Sequence, residues 1–107
     1  MNIFMKLRLI FFNILILLLF SNLKSDEILN KGKEIFLENG NCATCHSLKD
    51  AGSIANIGPN LNEIRPVFER VKNAVTNGIG VMPAYQGILS DEEIDAVSYY
   101  VSESANY

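Results

Sequence analysis

The chain has 107 residues, a formal net charge of −3, two cysteines and one histidine. That length holds one domain. The charge excludes a strongly basic nucleic-acid binder, and two cysteines are too few for a disulfide-rich scaffold or a four-cysteine zinc module.

Apolar residues make up 49% of the chain but are unevenly spread. Residues 9–20 read LIFFNILILLLF, preceded by Lys6 and Arg8 and followed by the polar exit Ser21-Asn22-Leu23-Lys24-Ser25. This is the layout of a secretory signal. Twelve helical residues cover about 18 Å, short of the ~30 Å hydrocarbon layer. The expectation is an export signal at 1–25, cut after Ser25, and a mature domain at 26–107. A retained anchor is the alternative, because Leu23 fits the small-x-small cleavage pattern poorly. On either reading the domain is periplasmic, and it meets a membrane only if the leader is kept. Without residues 1–25, six basic residues face twelve acidic ones. So small and acidic a domain has a marginal core and needs a cofactor or staple.

The mature region begins with a predicted helix over Asp26–Asn39. Ile28, Leu29, Gly32, Ile35 and Phe36 lie near one stripe, and Gly40 acts as a stop. Next comes Cys42-Ala43-Thr44-Cys45-His46, the C-x-x-C-H attachment signature of a c-type haem. Two thiols at this spacing reach the two vinyl positions of one porphyrin edge, and the adjacent imidazole lies under the iron. Zinc is excluded by counting, since no further thiol or imidazole exists in the chain to complete four ligands. A thioredoxin-like dithiol belongs in a βαβ context, and no strand alternation is visible.

A second helix is predicted from Pro66 to Asn77-Gly78, with Val67, Phe68, Val71 and Val75 on its apolar side. After it, Asn77-Gly78-Ile79-Gly80-Val81-Met82-Pro83-Ala84-Tyr85 reads as a loop able to approach a flat cofactor. Met82 is the sole methionine of the mature domain, separated from His46 by 35 residues. It is the candidate for a sixth iron ligand, the alternative being an ordinary core methionine. A third helix opens at Ser90, whose spacing to Glu93 is that of a capping box, and buries Ile94, Val97, Tyr100 and Val101. Leu61, Phe68, Val71, Val75, Val81, Ile88 and Val97 are the apolar candidates for haem contact. Asn60, Arg65 and Tyr85 are the candidates for its propionates.

The CATCH string, Gly58-Pro59-Asn60-Leu61, the NGIGVMPAY loop and the SDEEIDAVSYYV segment together resemble a class I cytochrome c over essentially residues 28–105. Within that class the spacing is most similar to the small cytochrome subunit of bacterial sulfite dehydrogenases. It is also similar to small soluble cytochromes of photosynthetic chains. The resemblance implies an all-α fold of three to five helices around one haem c attached through Cys42 and Cys45. It implies His46 and Met82 as axial ligands, with the Pro59 carbonyl orienting the imidazole. It also implies a close helix crossing of Gly32 against Tyr99 or Tyr100. Leu61 is carried as a cofactor-binding residue.

With both axial positions filled, the iron has no open site and can only exchange electrons. The expected function is a periplasmic monohaem carrier between redox proteins, a donor dehydrogenase and a terminal oxidase or reductase, with no catalytic residues of its own. An acidic carrier prefers a positively charged docking face and associates more slowly as salt rises. The acidic run Asp91–Asp95 is read chiefly as helix capping and solvation. The alternatives are a cytochrome subunit of a periplasmic dehydrogenase complex, and a five-coordinate haem enzyme or sensor formed if Met82 dissociates.

Overall fold

A computed structural model describes residues 2–107. Four α-helices are present in it: α1 (Ile3–Leu37), α2 (Leu61–Ile64), α3 (Phe68–Asn77) and α4 (Asp91–Ser104). Two-residue strands, β1 (Ser47–Leu48) and β2 (Ser53–Ile54), pair antiparallel, with Ser47 opposite Ile54 and Leu48 opposite Ser53. The fold is the all-α one expected. The strand pair is too short to leave a period-2 signal in the sequence.

α1 is longer than the predicted 26–39 helix, because residues 3–25 and the first domain helix form one continuous element. No Gly or Pro occurs between Ile3 and Lys31 to break it. Two polar side chains in the apolar stretch are absorbed locally: Asn13 Nδ2 and Ser21 Oγ donate to the carbonyls of Leu9 and Leu17, four residues back. The helix is long and apolar enough to cross a membrane. It ends at Leu37, two residues before the predicted Asn39, and the Gly40 N–H turns back to the Ile35 carbonyl at 2.7 Å.

The C-terminal part of α1 packs on α4. A Cβ on Gly32 would fall onto the Ala96 carbonyl oxygen and the Tyr100 Cβ, so only glycine permits this approach. Of the two expected partners, Tyr100 is the one at the crossing. Tyr99 lies on another face, where its hydroxyl is 3.0 Å from Ser25 Oγ. Ile35, Phe36, Val97 and Tyr100 are fully or almost fully buried here. The rings of Phe36 and Tyr100 meet edge to face, with centroids 5.8 Å apart. Tyr100 Oη donates to Asp50 Oδ2 at 2.7 Å, and Lys33 Nζ approaches the same oxygen at 3.3 Å. One carboxylate thereby ties α1, α4 and the turn at Lys49–Ala51. The Tyr100 bond, reinforced by Lys33, holds the Asp50 carboxyl below its ordinary value, while burial raises the Tyr100 hydroxyl well above its own.

The caps explain the remaining boundaries. Ser90 and Glu93 form the predicted capping box, with reciprocal bonds of 3.1 and 3.0 Å. α3 begins at Phe68, two residues after the predicted Pro66, and Val67 is its extended N-cap. The single-turn helix α2 is additional. The Asn60 side chain caps it by accepting from the Asn62 and Glu63 N–H groups.

Candidate functional site

A cavity of about 300 Å³ opens between these elements, within the size range of small-molecule and cofactor sites. Phe36 from α1, Val71 and Val75 from α3, and Val97 and Val101 from α4 form its buried inner wall. Ile57, Ile79 and Val81 form an exposed rim, with Val81 95% accessible. The Cys42, Cys45, His46, Pro59, Leu61 and Met82 side chains picked out in the sequence all line this one cavity.

The cysteines lie on a single 3₁₀ turn. Asn41 enters it in a left-handed conformation (φ 51°), and the N–H groups of Cys45 and His46 both return to the Cys42 carbonyl, at 3.1 and 2.9 Å. Neither cysteine is in a disulfide. Burial pushes the Cys42 thiol up to about 11.

His46 is fixed from two sides. Its Nδ1 lies 2.8 Å from the Pro59 carbonyl oxygen. A Cβ on Gly58 would stand 2.6 Å from the ring Cε1, so Gly58 lets the backbone lie directly against the imidazole. The Gly58 N–H, bonded to the Cys45 carbonyl at 2.7 Å, holds the two segments together. With Nδ1 occupied, Nε2 is the nitrogen left for a ligand.

Met82 comes from a tight turn in which Ile79 and Met82 exchange backbone bonds of 3.1 and 2.9 Å. Gly80 takes φ 57° at the tip, and a side chain on Gly78 (φ 73°) would meet the Met82 carbonyl oxygen at 2.6 Å. The turn is tied to α3 by the Tyr85 N–H on the Val75 carbonyl at 2.8 Å. The Tyr85 hydroxyl donates to the Gly40 carbonyl at 2.5 Å. Burial, with the cysteines nearby, raises that hydroxyl above its ordinary value and keeps it a donor.

Five of the seven apolar contact candidates line the cavity, and two do not. Phe68 lies outside it, with the Lys72 ammonium 5.9 Å above its ring. Ile88 is exposed on the next turn of the chain. Of the expected propionate partners, only Tyr85 lines the cavity. Tyr85 is on Gly40 and Asn60 caps α2. Arg65 Nε reaches the Asn62 carbonyl at 3.3 Å, from a residue that does not line the cavity. Apart from His46, the charge-bearing residue on the cavity is Arg70, which was not among the residues singled out in the sequence. Its i,i+4 relation to Ala74, also on the cavity, was the available signal.

A flat, largely apolar group with a polar edge fits this enclosure. Two thiols, an imidazole and a thioether all open onto apolar walls, and large side chains are left exposed at the rim. Residues 27–101 match the family described as cytochrome c oxidase, cbb3-type, subunit III. The chain is 35% identical over 85 residues to cytochrome c6 of Cladophora glomerata, covering 74% of this chain and 91% of that protein. It is 36% identical over 80 residues to cytochrome c6 of Leptolyngbya boryana, covering 69% and 89%. The structure of the c-type cytochrome SorU from Sinorhizobium meliloti superposes with a TM-score of 0.71 at 55% identity, covering 75% of this chain and 93% of that one.

The chain belongs to the monohaem class I c-type cytochromes. As a member it carries covalently bound haem c, for which the two cysteines of the Cys42–His46 string are available. It is an electron-transfer protein, not an enzyme, and works with redox partner proteins.

Proposed function

We propose that this cytochrome is a periplasmic one-electron shuttle whose haem is held by Cys42 and Cys45 and ligated axially by His46 and Met82. The observation that carries the reading is the convergence of these four side chains on one apolar cavity, from two segments 35 residues apart. Bound haem supplies the Fe(III)/Fe(II) couple. The chain's residues do the rest. Pro59 and Gly58 hold the His46 ring so that Nε2 is presented. The Ile79–Met82 turn offers a thioether, which raises a haem potential relative to stronger donors. Val71, Val75, Val97 and Val101 exclude water and keep the surroundings nearly unchanged between oxidation states.

The exposed rim of Ile57, Ile79 and Val81 is the surface through which a partner approaches. The acidic mature domain favours a partner with a positively charged docking face. The sequence spacing shared with small cytochrome subunits of sulfite dehydrogenases supports a periplasmic dehydrogenase as donor, with a terminal oxidase or reductase as acceptor. Residues 1–25 act as the export signal, removed after Ser25. The apolar helix there fits such a signal, and the expected mature N-terminus is Asp26, read by N-terminal sequencing of protein recovered from a periplasm.

The test of ligation is the Met82→Ala holoprotein. Haem remains covalently attached, the reduction potential falls, and the reduced spectrum becomes sensitive to carbon monoxide while the wild type stays insensitive. An unchanged potential would place the sixth ligand elsewhere. A carbon monoxide-sensitive wild type would favour the five-coordinate enzyme or sensor.

A further inference from the structure

We infer that Arg70 is the residue that neutralises a haem propionate and thereby helps set the reduction potential. The inference rests on the cavity being the haem site. Haem c brings two carboxylates into an otherwise apolar enclosure, and an ionised carboxylate at such a site needs a cationic or hydrogen-bonding partner. Arg70 is, apart from His46, the charge-bearing residue on the cavity lining. It sits in the first turn of α3, one turn before Ala74 and next to Val71, so its stem starts on the wall that the macrocycle contacts.

Its guanidinium is also uncommitted. Among the described residues the salt bridges join Lys31 to Glu34, Lys33 to Asp50 and Lys72 to Asp95, and none involves Arg70. No side-chain hydrogen bond from it is present among the described residues either. The competing groups are less well placed: Asn60 and Arg65 do not line the cavity, and the Tyr85 hydroxyl, which does, donates to the Gly40 carbonyl. A guanidinium pairs with a carboxylate through two parallel N–H donors, which gives orientation as well as charge. Arg70 therefore acts as a positioning residue at the haem's polar edge. Its positive charge offsets a negative charge that would otherwise favour Fe(III).

The experiment compares wild type, Arg70→Gln and Arg70→Lys holoproteins. In the reduced, diamagnetic, isotopically labelled wild type, NMR shows cross-peaks between the Arg70 side-chain N–H protons and a propionate methylene. Arg70→Gln lowers the potential, so at the wild-type midpoint the reduced-to-oxidised ratio drops roughly two- to fivefold, as for a partly exposed ion pair. Arg70→Lys recovers part of that drop, which a purely steric role would not produce. An Arg70→Gln potential equal to wild type, or cross-peaks from a different basic residue to the propionates, overturns the assignment. Covalent haem absent from the wild type overturns the haem-site reading beneath it. Arg70 is exposed, so neither substitution disturbs the buried core, and the wild-type NMR result does not depend on a variant folding.

Discussion

The α1–α4 junction and the cavity beside it are built on opposite principles. At the junction the chain supplies everything: Gly32 lets the helices touch, Phe36 and Tyr100 interlock, and the Tyr100 hydroxyl ends on Asp50. At the cavity the chain supplies walls and donors but little to fill the space, and Ile57, Ile79 and Val81 stay exposed. A domain of this size has little apolar surface to bury. It spends that surface on one self-sufficient crossing and leaves the other half of its core to a cofactor. The c-type attachment, two thiols on one 3₁₀ turn, makes that borrowed half permanent.

The largest effect expected from this contrast comes from withholding the cofactor. Cys42→Ala/Cys45→Ala protein, matured under the same conditions, carries no covalent haem and is largely unfolded, with weak far-UV helicity and no cooperative melt. A melt resembling that of the holoprotein would show that the chain completes its core alone.

The next effect attacks the closed side. Gly32→Leu drives a side chain into the Ala96 carbonyl and Tyr100, and costs about 3 kcal/mol in denaturant unfolding of the holoprotein. A loss below 1 kcal/mol would mean that the crossing is looser than drawn.

The smallest effect isolates the Asp50–Tyr100 tie. Asp50 titrates below its unfolded value, so its contribution is present above about pH 4 and is lost as pH falls through the lower folded value. Tyr100 titrates above its unfolded value, so its contribution is present below about pH 10 and is lost as pH rises further. Tyr100→Phe flattens both limbs of the stability profile and costs about 1 kcal/mol at neutral pH. Unchanged limbs in that variant would put the pH dependence on other groups.

The two regions also differ in how far the sequence disclosed them. The capping box at Ser90 and Glu93 was legible because it depends on local spacing, whereas the Gly32 crossing was expected only from the resemblance to class I cytochromes c. CATCH and Met82 stood out as candidate chemistry, since few residue types serve as ligands, and what the structure adds is that they line one cavity. The apolar contacts were legible only in part. Phe68 shares the helical stripe of Val71 and Val75, yet at the first position of α3 it lies off the cavity beneath Lys72, a choice made by tertiary packing. The propionate candidates show a limit of sequence reading, which does not reveal which residues reach the cavity: Tyr85 lines it, and Asn60 and Arg65 do not. The continuity of α1 through residue 25 was hidden by the expected processing site, although no helix breaker stands there.

The central claim is that the open half of the core is closed by one covalently held haem between His46 and Met82. The most direct measurement is the absorption spectrum of the oxidised holoprotein, wild type beside Met82→Ala, after acid-acetone extraction has removed any unattached haem. The account predicts retained haem in both and a far-red Fe(III)–thioether charge-transfer band that the wild type shows and Met82→Ala loses. Extractable haem, or a band that survives the loss of Met82, would contradict it.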